Sequence, residues 1–148
     1  AQAINALREE ILCRRRDEDK LRVDIVNMRE KMRRAKNVLD SEIFDLKQGH
    51  GGIVDIEFMV QYMVLRWANE YPQLTRHTET IALLDRLKEL ELLEPETHRV
   101  LSDAFSAWLE KSYQLKLNKR PAMMPATAAR GLSRQVTEIW NTLLCGKQ

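Results

Sequence analysis

The chain has 148 residues, 44% hydrophobic and 31% charged, which is the composition of one globular domain. Its 24 basic and 22 acidic residues give a net charge of +2, which argues against a broad basic surface for nucleic acid. No apolar run approaches the roughly 18 residues that span a membrane, and the N-terminus lacks a signal-peptide pattern. Cys13 and Cys145 predict free thiols in a cytoplasmic protein. The missing initiator methionine suggests a piece of a longer chain.

The first 40 residues have a helical pattern, because apolar side chains recur every three or four positions from Ile4 to Leu39. One helix over about 2–38 fits this spacing. A break at "RRRD" fits equally well, since Asp17 is a good N-cap for a second helix. The dense mixed charge predicts a solvated helical arm, 1–40, joined in one compact unit to a bundle at 41–148; phosphate or nucleic-acid binding by "RRR" is a minor alternative.

The rest of the chain is also predicted to be helical, apart from a short extended stretch at Ile43 to Lys47. A helix from near Asp55 to just before Pro72 is apolar around nearly its whole circumference, which predicts a central position. Further helices are predicted at about 78–93, 95–117 and 132–144, with a loop at 118–131. The fold class is therefore all-α, a bundle of about five to six helices with a long N-terminal arm.

Common catalytic and metal-binding patterns are missing from the sequence. His50, His77 and His98 lie far apart, with no cysteine or carboxylate at ligand spacing, so no metal site is expected. A Gly-x-Ser-x-Gly nucleophile pattern does not occur. Lys47 precedes the nearby glycines, whereas the lysine of a Walker loop follows them.

The stretch "DLKQGHGGIVDIEF", residues 45–58, is the least ordinary part of the chain. Gly49, Gly51 and Gly52 come just before the apolar helix, where free N–H groups and the helix dipole favour an anion such as phosphate. Lys47 would add a positive charge. The alternative is a structural loop in which Asp55 satisfies the free N–H groups of the first turn.

Glu57 is the second unusual feature, because a carboxylate on so apolar a helix is costly to bury unpaired. Helix geometry puts Gln61 about 40° from Glu57 on the same face. This face must therefore meet a partner or line a wet cleft. Asp55 points almost the opposite way, toward Tyr62 and Arg66, so the two carboxylates are expected to have different roles.

Residues 44–68, "FDLKQGHGGIVDIEFMVQYMVLRWA", resemble the Lys-x-Gly-x-Gly-Gly-Ile-x-Asp-Ile-Glu-Phe-x-x-Gln signature of bacterial glutamine synthetase adenylyltransferases. The resemblance includes "VNMREKMR" (26–33) and "YPQLTRHTETIALLDRLKELELL" (71–93), and so covers most of the chain. A looser form of the signature occurs in PII uridylyltransferases. Two positions depart from the family: Arg15 replaces a frequent proline, which puts the helix break there in doubt, and His77 replaces a frequent tryptophan.

The resemblance implies a multidomain parent with two similar halves, each pairing a nucleotidyltransferase domain with a helical bundle. "MREKMR" and "EIWNTLL" are more similar to the C-terminal, adenylylating half. The implied reaction transfers AMP from ATP to a tyrosine of glutamine synthetase with Mg²⁺, under control of glutamine and the PII signalling protein. The Gly-Ser and Asp-x-Asp pattern that holds the metal is missing here, so this piece alone is expected to bind no cofactor and to be inactive.

On this resemblance, the loop and helix start would complete one wall of the catalytic cleft of the preceding nucleotidyltransferase domain. The residues expected near the nucleotide are Lys47, Gly49, Gly51, Gly52, Asp55, Glu57 and Gln61. No catalytic residue is expected within the chain itself. The rival hypothesis is a regulatory module that docks PII or glutamine synthetase, and a third is a bundle that only supports the catalytic fold. No membrane or nucleic-acid partner is expected.

Overall fold

A computed structural model describes residues 2–14, 16–36 and 41–145, with residues 2–5 and 8 by their backbone alone. This part of the chain forms six α-helices and one small sheet, which confirms the all-α prediction and the helix number. The helices are α1 (Gln2–Leu12), α2 (Glu18–Ala35), α3 (Ile53–Trp67), α4 (Thr80–Glu89), α5 (Pro95–Leu117) and α6 (Ala126–Trp140). The strands are β1 (Ile43–Asp45) and β2 (Met123–Pro125). A 3₁₀ turn, Pro72–Arg76, follows α3, and a π turn, Asn141–Cys145, follows α6.

The N-terminal segment forms two helices, so the single helix over 2–38 is excluded and the break at "RRRD" is confirmed. Asp17 caps α2 by accepting a hydrogen bond from the Lys20 backbone N–H at 3.0 Å. Glu18 and Asp19 in the first turn oppose the positive end of the helix dipole. On the other side of the break, Arg16 donates hydrogen bonds to carbonyls at the end of α1, including that of Leu12 at 3.2 Å.

The structure does not confirm a long N-terminal arm. Leu21 and Ile25 of α2 are buried in the core, and α2 packs along α3. Val23 and Met28 of the same helix remain exposed. Residues 37–40, where the predicted arm ends, lie outside the described residues.

Helix α3 is central, as predicted, and packs against α2, α4, α5 and α6. Ile56, Met59 and Tyr62 are fully buried in the main hydrophobic cluster. Apolar side chains cover nearly all of its circumference, as predicted, except on one side. Glu57 and Gln61 are exposed there, so α3 keeps a polar strip in contact with solvent.

The sheet overturns the prediction of a loop at 118–131. Within that range, β2 pairs antiparallel with β1, with Phe44 opposite Met124, and α6 already begins at Ala126. The prolines favoured a loop, but Pro125 lies just before the helix, where its fixed φ costs nothing, and alanine-rich sequence after it favours helix. The extended stretch predicted at Ile43 to Lys47 is confirmed as a strand that ends at Asp45.

The remaining predicted helices are confirmed with small changes in their ends. Pro95 is the first residue of α5, which runs to Leu117 as predicted, and α4 is shorter than the predicted 78–93. The Trp108 ring of α5 packs against Phe44 of β1, with 5.0 Å between ring centroids. Among the residues that the structure describes, no helix is both long and apolar enough to cross a bilayer.

Candidate functional site

Hydrogen bonds to Asp45 fix the conformation of the loop between β1 and α3, residues 46–52. The Asp45 carboxylate accepts hydrogen bonds from the Lys47 and Gln48 backbone N–H groups, both at 2.9 Å. The Gly49 N–H then donates to the Asp45 carbonyl at 2.8 Å. This side-chain-to-backbone turn sets the direction in which the chain leaves the strand.

The three glycines of the loop allow close approach to atoms of the chain itself. Gly51 has a φ of +84°, and a Cβ there would lie 2.3 Å from the Ser133 carbonyl oxygen of α6. A Cβ at Gly52 would lie 2.6 Å from the Leu46 carbonyl oxygen, and one at Gly49 would meet the Asp45 carbonyl oxygen at 2.6 Å. Intramolecular packing therefore accounts for all three glycines, and their contact with a nucleotide stays a prediction.

The loop is also fixed from α5, because the Trp108 indole N–H donates to the Gly51 carbonyl at 3.0 Å in a buried position. Gly51 thus contacts α5 through its carbonyl and α6 through its Cα. The sequence gives no sign of either contact, since Trp108 lies 57 positions away.

The N-terminus of α3 has already used its first two N–H groups. The Ile53 N–H donates to the Leu46 carbonyl at 2.8 Å, and the Val54 N–H donates to the Lys47 carbonyl at 3.1 Å. These bonds satisfy donors that an anion would otherwise bind. Of the groups expected to meet a phosphate, the exposed Lys47 side chain is the one that stays accessible.

Asp55 is the electrostatic centre of the region and is only 2% exposed. Its Oδ2 accepts from the Gly51 N–H at 2.8 Å, and its Oδ1 accepts from Arg29 Nε at 2.6 Å and from an Arg33 guanidinium nitrogen at 3.2 Å. Asp55 therefore fixes the loop in front of the helix, as predicted, and it also binds α2. The predicted capping of the first turn by Asp55 was wrong, because the N-cap residue is Gly52 and no side chain makes a capping hydrogen bond there. Charge-assisted bonds of this kind are stronger than neutral ones.

Arg29 and Arg33 reach the loop beyond Asp55. Arg29 is fully buried and donates to the Gln48 side-chain oxygen and backbone carbonyl, both at 3.0 Å. Arg33 donates to the same Gln48 carbonyl at 2.8 Å. Sequence reasoning assigned no role to these arginines. The signal was available, because Leu21, Ile25 and Arg29 share one i,i+4 stripe, so Arg29 falls on the buried face of α2.

Glu57, Gln61 and Lys47 are all exposed near this rigid framework. Within the described ranges, neither Glu57 nor Lys47 has a side-chain hydrogen bond or ion pair. Partial desolvation raises the pKa of the Glu57 carboxyl, and the nearby Arg29 charge opposes that shift. Asp55 and Glu57 lie on different sides of α3, one buried and one open, as the helix geometry predicted.

Other arrangements do not form a catalytic site. His98 Nε2 lies 2.7 Å from Asp85 and 3.4 Å from Ser102 Oγ, but both partners contact the same ring nitrogen. A relay needs the base to use its two nitrogens separately, so this is no nucleophilic triad. Nowhere in the described ranges do three or more His, Cys, Asp or Glu residues cluster closely enough to hold a metal ion. Both cysteines are free thiols, as predicted.

The combination of a glycine loop, a buried aspartate and a central helix lies inside a match to a known family. Residues 15–135 match the sequence model of the family described as GlnD PII-uridylyltransferase, and the chain belongs to this family. It is also 40% identical, over 96% of its length, to the bifunctional glutamine synthetase adenylyltransferase/adenylyl-removing enzyme of Nitrosococcus oceani. The enzymes of the same name from Pseudomonas aeruginosa and Pseudomonas syringae are 37% and 38% identical over 97% and 90% of the chain. The chain spans 15–16% of the length of these relatives.

Proposed function

We propose that this chain is the C-terminal helical domain of a glutamine synthetase adenylyltransferase and forms one wall of the catalytic cleft of a preceding nucleotidyltransferase domain. The identity to such enzymes over nearly the whole chain supports the parent protein. The parent reaction would transfer AMP from ATP to a tyrosine of glutamine synthetase. Mg²⁺ and ATP would be held mainly by the neighbouring domain, because the Asp-x-Asp pattern does not occur in this sequence.

One observation carries the cleft-wall proposal. An internally fixed loop and the start of α3 present Lys47 and Glu57 to solvent, and neither side chain has a hydrogen-bond or ion-pair partner among the described residues. Arg29, Asp55 and Trp108 hold the framework in place. Such preorganisation strengthens binding to a ligand or a neighbouring domain, because the side chains and the loop lose little conformational entropy when contact is made. An exposed carboxylate with a raised pKa also gains from a partner that supplies positive charge or a donor.

Each side chain then has a distinct part in the proposal. Lys47 would contact the nucleotide phosphates as a point charge, with the Gly49–Gly52 backbone beside it. Asp55 would keep the loop and helix in register. Glu57 and Gln61 would pair with the catalytic domain or with the bound nucleotide. The chain would supply positioning and charge rather than the reacting groups themselves.

The test uses Lys47→Ala and Glu57→Gln in the full-length enzyme, with AMP transfer from ATP to glutamine synthetase as the readout. Lys88→Ala and Glu70→Gln are matched controls, because both side chains are exposed and lie away from the loop. We expect the first pair to lower turnover by about tenfold or more, and the controls to leave it unchanged. Near-normal transfer by both loop variants, with unchanged folding, would reject the proposal.

A docking module for PII or glutamine synthetase is the second candidate, favoured by exposed apolar side chains on α1 and α2. Leu7, Val23 and Met28 are each more than half exposed. Exposed apolar patches mark interaction surfaces, whereas single exposed apolar side chains are ordinary, so this function requires that the three residues contact the partner together. Titration calorimetry of the 148-residue chain with either protein tests this function. Binding that a Val23→Ser, Met28→Ser double variant weakens would favour docking over the cleft wall.

A further inference from the structure

A cleft of about 280 Å³ opens beside the loop. It lies between the end of α2, strand β1, the loop and the start of α6. The polar side chains lining it include Arg33, Lys36, Asp45, Gln48 and His50. Lys47, Glu57 and Gln61 do not line it. The cleft therefore shares Gly49, but none of the charged side chains, with the residues of the proposed function.

The cleft has an excess of positive charge and of hydrogen-bond donors. Lys36 is exposed at its edge, and Arg33 forms part of its wall. Asp45 is the single carboxylate among the described residues that line it, and its Oδ1 is already bound by two backbone N–H groups. Glu30 is 3.7 Å from Arg33 but is half exposed and lies outside the lining.

Arg33 itself has an unused donor. Its terminal nitrogens bind Gln48 and Asp55, but its Nε is buried without an acceptor among the described residues. A buried donor without an acceptor costs free energy, so the Arg33 guanidinium at the cleft wall is incompletely hydrogen-bonded. Arg33 shares Asp55 with Arg29, and its other ion-pair partner is the half-exposed Glu30 at 3.7 Å, so Asp55 alone does not balance the two guanidinium groups.

The start of α6 also contributes positive potential to the cleft. Ala126, its first residue, lines the cleft, and this 15-residue helix has no side-chain cap and no acidic residue in its first turn. The Ala126 N–H is used by the Glu42 carbonyl at 2.8 Å, but the helix dipole still places positive potential at this end. Two cationic side chains at the end of α2 and the N-terminus of α6 thus converge on the cleft from two elements.

We infer that this cleft binds a phosphate-type oxyanion. Its volume is slightly below the range of about 300–1,000 Å³ found for pockets that enclose larger ligands, so it suits a single phosphate group. The group could be free orthophosphate or the phosphate of a nucleotide that extends out of the cleft. The inference does not depend on the proposed function, because Lys47, Glu57 and Gln61 take no part in it and its test is different.

The experiment is an NMR titration of the 148-residue chain with orthophosphate at constant ionic strength, following the backbone amides of the loop and of α6. Lys36→Gln removes a cation at the edge, and Lys31→Gln is the matched control on the same helix, exposed and outside the cleft. Ala126→Asp places a carboxylate in the cleft at a helix position that favours acidic residues, so the variant is expected to fold. ATP is then added to the phosphate-saturated protein.

We expect saturable shifts around Gly49 and Ala126, about tenfold weaker binding in Lys36→Gln, no binding in Ala126→Asp and unchanged binding in Lys31→Gln. Displacement of phosphate by ATP would identify a nucleotide as the source, and its absence would identify free phosphate. The inference is overturned if the wild-type chain shows no saturable shifts. It is also overturned if Ala126→Asp binds normally, or if Lys31→Gln weakens binding as much as Lys36→Gln.

Discussion

Arg29 of α2 and Asp55 of α3 form a buried ion pair, with 2.6 Å between Nε and Oδ1 and almost no exposed side-chain surface. The pair joins three parts of the molecule, because Arg29 also donates to Gln48 and Asp55 also accepts from Gly51. Helix α2 is thereby fixed to the glycine loop as well as to the core. The Arg29–Asp55 ion pair therefore helps to fix the positions of the exposed residues of the candidate site.

Arg29→Met is expected to lower the free energy of unfolding by about 3–5 kcal/mol, because it leaves the Asp55 carboxylate buried with less compensation. Arg29→Lys should recover little, since an ammonium cannot bind Gln48 and Asp55 together as the guanidinium does. Urea denaturation of the 148-residue chain measures both. Arg34→Met, at an exposed neighbouring position, should change stability by no more than about 0.5 kcal/mol. Equal effects at Arg29 and Arg34 would contradict this account.

Gly51 and Gly131 form a matched pair for testing the role of the loop glycine. Gly51→Ala combines a φ of +84° with a Cβ 2.3 Å from the Ser133 oxygen, so we expect a loss of more than about 2 kcal/mol. Gly131 is in α6 with open space where its Cβ would be, so Gly131→Ala should stabilise by about 0.5–1 kcal/mol. Thermal unfolding of both variants gives the comparison. A tolerated alanine at Gly51 would show that the loop is free to move away from α6.

Trp108→Phe tests the contact between α5 and the loop. The variant keeps an aromatic ring beside Phe44 but removes the indole N–H that donates to the Gly51 carbonyl. An unsatisfied buried carbonyl costs about 1–3 kcal/mol, and the smaller ring adds a packing loss. Amide hydrogen exchange should show faster opening at Gly51 and Gly52 than in the rest of the core. Uniformly faster exchange across the protein would instead indicate a packing defect alone.

The local features of the fold could be predicted from the sequence, because they depend on neighbouring residues. Asp17 as a cap and Pro95 as the first residue of α5 follow from helix-end chemistry. Strand β2 could not be predicted, since its pairing depends on β1 about 80 positions earlier along the chain. A three-residue strand has too short a pattern to indicate its partner.

In the candidate site too, features set by neighbouring residues could be predicted from the sequence, and contacts with distant residues could not. The glycines, Lys47 and Glu57 were visible as an unusual run, but Gly51 is required by Ser133 of α6. The partners of Asp55 were also distant, 22 and 26 positions away. Sequence spacing indicated that Asp55 and Glu57 have different roles, and tertiary packing determined which of them is buried.

Glu57 provides the last prediction, which concerns pH. Desolvation raises the pKa of its carboxyl in the folded state above the ordinary 4.5, so the folded protein holds the proton more tightly than the unfolded chain does. The resulting stabilisation is complete below pH 4.5 and is lost as the pH rises through the folded-state pKa. At neutral pH, the ionised Glu57 carboxylate is therefore mildly unfavourable in this chain.

Glu57→Gln should raise the melting temperature relative to wild type at pH 7 and should flatten the change in stability between pH 4 and pH 7. The effect is expected to be small because the side chain is exposed. Glu70→Gln, also exposed and just beyond the end of α3, is the control and should not alter the pH profile. A lower melting temperature for Glu57→Gln at pH 7 would mean that interactions within the chain stabilise the ionised carboxylate. The raised pKa of Glu57 would then no longer support a partner outside this chain.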